Sequence, residues 1–172
     1  MSGLVYERAR NEAKGIRAAY QVPESGTRGL ERIANVLGAE VFFEPLPKDQ
    51  AGFIVKKAGD SLASIVVNSR DIPERQRFTL AHEIGHLVDR RGLAGDPKFS
   101  FMDYRDNRNG YDLHEFFADE FAGELLMPAV PLLKEIFRTS QYEAAAKFGV
   151  TPAAVDRRIA RLQKHPPVEL SG

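Results

Sequence analysis

The chain has 172 residues, 24 basic and 24 acidic, and no cysteine. That length suffices for one domain with a full core. A net charge of zero removes global attraction to nucleic acid or an anionic membrane, and the lack of thiols excludes disulfides and cysteine-bound metal.

Residues 4–20 predict a helix, because Val5, Ala9, Ala13, Ile16 and Tyr20 recur at three- and four-residue spacings. The charges between them (Glu7, Arg8, Arg10, Glu12, Lys14, Arg17) leave no apolar core for a signal peptide. No run reaches transmembrane length, so a cytoplasmic protein with no membrane partner is expected. Pro23 to Gly26 break the chain. Thr27 can then cap a second helix to Leu37, with Leu30, Ile33, Ala34 and Leu37 inward and Gly38 ending it. Three short strands follow at 40–44, 52–56 and 62–68, the last two joined by the turn-forming Lys57-Ala-Gly-Asp60. They read as an antiparallel hairpin with a third strand beside it.

The next helix, expected over residues 71–90 with Asp71 as its cap, contains His82-Glu83-x-x-His86. Residues four apart on a helix lie one above the other, so both imidazoles can aim at one point. Glu83 stands about 100° further round and can reach a water held there. Two neutral imidazoles with a carboxylate base nearby are what a catalytic zinc needs. Leu80, Ile84, Leu87 and Val88 form an apolar stripe away from the histidines, and Ala81 and Gly85 keep the helix slim.

Residues 92–112, rich in Gly, Pro, Asn and Asp, predict an irregular connection, read either as a lid over the metal cleft or as a surface loop. A helix over 112–127 places Glu115, Ala118, Asp119 and Ala122 on one face. The alanines allow close approach of another helix, and Glu115 becomes the candidate third ligand. Asp119, one turn on, can accept a hydrogen bond from the far nitrogen of a ligating histidine. Glu120 and Glu124 compete for the ligand role but read as a solvated helix face. His114, Tyr104 and Tyr111 are candidate rim groups for stabilising an oxyanion.

Three more helices are expected at 129–137, 141–148 and 151–163, and residues 145–155 have helix-turn-helix composition. Arg157, Arg158, Arg161 and Lys164 make the last helix basic. On a neutral protein this favours a helical pair closing the core with a solvated basic face, and direct DNA binding is not expected. A single domain, residues 1–172, follows, with a core over 1–138 and the helix-turn-helix-like pair over 139–165.

The stretch Phe78-Thr-Leu-Ala-His-Glu-Ile-Gly-His86, followed by Glu115-x-x-Ala118-Asp119-x-Phe121-Ala122-x-x-Leu125-Leu126-Met127-Pro128, resembles the ImmA/IrrE family of metallo-endopeptidases. The resemblance covers residues 30–130 well and the tail more loosely. It implies a zincin-like core, zinc on His82, His86 and Glu115, and catalysis by Glu83. It also implies a helix-turn-helix transcriptional repressor as substrate and partner, in phage, mobile-element or stress-response control. The family often has Asn where Asp119 stands. The donor set also suits Mn2+ or Fe2+. The expectation is therefore an α+β fold: a zincin-like core with a small, mostly antiparallel three-stranded sheet packed on helices, plus a C-terminal helical tail. Two other readings stay open: a non-catalytic metal-containing protein that binds and antagonises a repressor, and a DNA-binding regulator.

Overall fold

The computed structural model describes residues 2–91, 100–104 and 113–168. Helix α1 (Ser2–Ala19) buries Ala9 and Ala13 completely. Helix α2 (Arg28–Leu37) buries Leu30, Ile33, Ala34 and Leu37, as their spacing predicts. Gly38 closes it with φ 97, a left-handed conformation open to glycine at no steric cost, and turns the chain straight into β1 (Ala39–Glu44).

Strands β2 (Gly52–Lys56) and β3 (Ala63–Asn68) form the antiparallel hairpin. β1 lies beside β3 but runs parallel to it, and β4 (Phe101–Tyr104) pairs antiparallel with the other side of β2. The sheet is thus mixed and four-stranded, in the order β1-β3-β2-β4, where three strands were expected. The parallel pair arises because residues 45–51 cross the end of β3 and deliver the chain to its far side. Asn68, buried at that end, holds the crossing: its side-chain oxygen accepts from the Leu46 and Arg70 backbone N–H groups, both at 3.1 Å, and its amide donates to the Gln50 carbonyl at 2.9 Å. The fourth strand comes from the stretch read as irregular. Four residues are too few to set a period against the Gly, Pro and Asn around them.

Helix α3 (Pro73–Arg91) starts one residue later than a cap at Asp71 implies. Ile72 takes the cap position, with its carbonyl accepting from Gln76 N–H at 3.0 Å, and the Asp71 carboxylate stands 3.7 Å from Arg75 instead. Helix α4 (Leu113–Leu126) packs between α1 and α3 and is buried on almost every side. A Cβ on Gly85 would stand 2.9 Å from the Ala118 Cα, so only glycine lets α3 and α4 meet this closely.

Burial extends to Glu120 and Glu124, which are not on a solvated face as expected. Arg10 of α1 donates to Glu120 at 2.7 Å, and Arg158 of α7 (Pro152–Lys164) donates to both glutamates. Charges enter an interior only when paired and hydrogen-bonded. The tail, α5 (Ala129–Arg138), α6 (Gln141–Phe148) and α7, is therefore joined to α4 through ions as well as apolar contacts. The solvated basic face shrinks to Arg157 and Lys164; Arg158 is buried and Arg161 partly so. The α+β class holds.

Candidate metal centre

Helices α3 and α4 run antiparallel, so His86 meets Glu115 and His82 meets Asp119. The His82 and His86 Nε2 atoms are 3.0 Å apart. Glu115 places one carboxylate oxygen 3.1 Å from His86 Nε2 and the other 3.5 Å from His82 Nε2. Both imidazoles are buried and their rings stand edge to face at 78°. Donors around a tetrahedral zinc with bonds of about 2.0–2.1 Å lie about 3.3 Å from one another. The three observed separations bracket that value, and the donors are two nitrogens and one hard oxygen, so the residues fit a divalent cation.

Glu83, buried beside His82, does not enter the donor cluster. Asp119 accepts from His82 Nδ1 at 2.8 Å, which turns Nε2 toward Glu115 and His86. Its other oxygen accepts from Arg161 of α7 at 2.9 Å. The sequence reading missed this third link by placing Arg161 on a solvated face. A usable signal exists in the pattern: Val155, Arg158 and Leu162 share one stripe of α7, and a charge inside an apolar stripe announces a buried partner.

Electrostatics within the cluster favour a positive charge. Burial alone would lower the His82 pKa, but hydrogen bonds to Asp119 and Glu115 outweigh it and push it up to about 9. Burial alone would raise Glu115, but both imidazoles donating to it hold it far below the usual carboxylate range. Without a metal, a proton takes the place of the cation.

The Nδ1 of His114, read above as a rim group, stands 2.5 Å from Asp89, which also pairs with Arg8. It is not among the three clustered donors. The Tyr104 side chain and all of Tyr111 lie outside the described residues, as does most of the connection read as a lid.

Residues 34–160 match the IrrE N-terminal-like domain, a peptidase family. Over 166 residues the chain is 31% identical to the radiation response metalloprotease IrrE of Deinococcus radiodurans, covering 95% of this chain and 44% of that protein. Over 68 residues it is 44% identical to the protein of the same name from Deinococcus deserti, covering 38% of this chain and 22% of that protein. The chain thus spans less than half the length of these curated relatives.

Proposed function

The chain belongs to the IrrE N-terminal-like family of metallopeptidases, and from that premise we propose that it is a zinc-dependent endopeptidase acting in the cytoplasm. The observation that carries this reading is the convergence of His82, His86 and Glu115 with a buried carboxylate, Glu83, at the adjoining position. Those three residues would hold the metal. When bound, the cation supplies Lewis acidity toward the scissile carbonyl and acidifies water. Glu83 takes the proton of the attacking water and returns it to the leaving nitrogen. Asp119 keeps the His82 tautomer fixed, and Arg161 keeps Asp119 in place. Two imidazoles and one carboxylate suit zinc, and the same donors would also accept manganese or iron. The absence of cysteine suits a reducing compartment, and no helix among the described residues is long and apolar enough to cross a membrane.

The substrate we propose is a helix-turn-helix repressor, cleaved to relieve repression. Its support is the paired motif of residues 78–86 and 115–128 and the radiation-response role in the names of the relatives. A DNA-binding role for the tail loses its main ligands, since Arg158 and Arg161 are engaged with Glu120, Glu124 and Asp119. The test is co-expression with repressors encoded beside the gene. Cleavage should occur with the native chain and stop with Glu83→Gln. A cut that survives Glu83→Gln rejects the assigned base, and an intact repressor that co-purifies with zinc-loaded protein supports the non-catalytic antagonist instead.

A further inference from the structure

A cavity of about 670 Å³ opens between α3, α4 and α7. On α3 it is lined by Arg75, Phe78 and Thr79, which stand seven, four and three residues before His82 and so share its helix face. On α4 it is lined by Asp119 and Gly123, and just past the end of that helix by Met127. The cavity thus continues the metal-bearing face, one to two helical turns from His82. Asp119 belongs to both, with one oxygen on His82 and the other on Arg161.

The lining is cationic over an apolar floor. Among the described residues it contains four arginines, Arg75, Arg157, Arg158 and Arg161, against one acid, Asp119. Arg158 is matched by Glu120 and Glu124, and Arg161 by Asp119. Arg75 is half-exposed, 3.7 Å from Asp71. Arg157 is exposed and makes no hydrogen bond or ion pair with any other described residue. The first turn of α7 also faces the cavity through Thr151, Ala153 and Ala154, adding the positive end of a 13-residue helix.

We propose that this cavity is a side-chain pocket for an acidic residue of the peptide substrate, with Arg157 reading the carboxylate. The proposal rests on the peptidase reading of the adjoining centre. A glutamate suits the chemistry best: its methylenes would lie on Phe78 and Met127, and its carboxylate would meet a guanidinium with no ion-pair partner among the described residues. Guanidinium–carboxylate bonds are charge-assisted and can be bidentate, which distinguishes glutamate from glutamine of the same shape. A nucleic-acid phosphate would share the charge but leave the apolar floor unused.

The experiment measures binding without turnover. The full-length Glu83→Gln chain, loaded with zinc, is titrated by fluorescence anisotropy with a labelled, end-blocked peptide of alanine and leucine carrying one glutamate, and with its glutamine counterpart. The glutamate peptide should bind about tenfold tighter. That preference should vanish on adding Arg157→Gln and reverse toward a lysine peptide with Arg157→Glu. Arg157 is exposed, so unchanged thermal melting should accompany both. Equal affinity for the glutamate and glutamine peptides, or a preference unmoved by Arg157→Gln, overturns the pocket. So does duplex DNA that displaces the peptide and itself depends on Arg157. Cleavage of the same peptides by the zinc-loaded native chain tests the peptidase reading separately: acid-selective binding without any cut would sink that reading and leave the pocket standing.

Discussion

Helix α4 carries two pairs of acids four residues apart, Glu115 with Asp119 and Glu120 with Glu124, and they do opposite things. The first pair faces the imidazoles of α3 and remains partly exposed, with side-chain exposures of 17% and 12%. The second pair is sealed beneath Arg10 and Arg158, at 0% and 3%. The spacing is the same and both pairs are carboxylates, so neither explains the difference. The partners do. Arginine is a cation tethered to the chain and always charged, and two of them close the inner pair permanently. Histidine is neutral or charged according to its surroundings, so the outer pair faces groups that can exchange a proton for a metal. Arg161 spans the two, 2.9 Å from Asp119 and 3.9 Å from Glu120.

The most drastic way to break the outer set is chemical. Glu83→Gln should lower peptide cleavage by about 10²–10⁴-fold while leaving bound metal, measured by atomic absorption, unchanged. The inner set breaks thermodynamically. Arg158→Met leaves Glu120 and Glu124 as buried anions and should cost about 3–5 kcal/mol in urea unfolding; a triple variant that also carries Glu120→Leu and Glu124→Leu should recover most of that loss. Asp119→Asn should weaken zinc binding about 10–100-fold by competition with a chelator, and Arg161→Gln should do so by a smaller factor.

A pH series sharpens the contrast further. His82 is raised from 6.5 to about 9 in the folded metal-free chain, so its stabilising contribution is complete below pH 6.5 and fades as pH climbs through 9. Glu115 is depressed, so its contribution is present above its ordinary value of 4.5 and is lost on acidification. The chelator-treated protein should therefore melt highest between these limits and lower toward pH 9. Zinc must displace the His82 proton, so its affinity should rise up to about tenfold per pH unit until that proton is gone. A separate effect is expected at the helix crossing: Gly85→Ala pushes the Ala118 backbone away and should cost about 1–3 kcal/mol, with weaker zinc retention on dialysis.

Much of the outer arrangement was legible in the chain. The His82–His86 interval, the stripe of Glu115 and Asp119, and the small residues Gly85 and Ala118 all follow from helical periodicity, which one segment carries by itself. The inner arrangement was not, because Arg10, Glu120 and Arg158 come from three helices separated by 110 and 38 residues. Periodicity says which side of a helix a residue occupies, not what waits there. Glu120 and Glu124 looked like solvent-facing acids because acids usually are. The mixed sheet escaped for a related reason: the direction of β1 relative to β3 is set by where Asn68 anchors the loop that follows β1, a decision made by one polar side chain.

The buried arginine of the final long helix also bears on how this chain can be shortened. Cutting before residue 152 to obtain a minimal fragment would remove Arg158 and Arg161 together, leaving buried Glu120 with Arg10 alone, taking the Arg158 guanidinium from buried Glu124 and loosening the aspartate behind the first histidine. A graft of the helical tail from a relative would have to bring equivalent guanidiniums at the same three-residue interval. Such a fragment should be recovered largely insoluble, and a graft lacking either arginine should bleed metal.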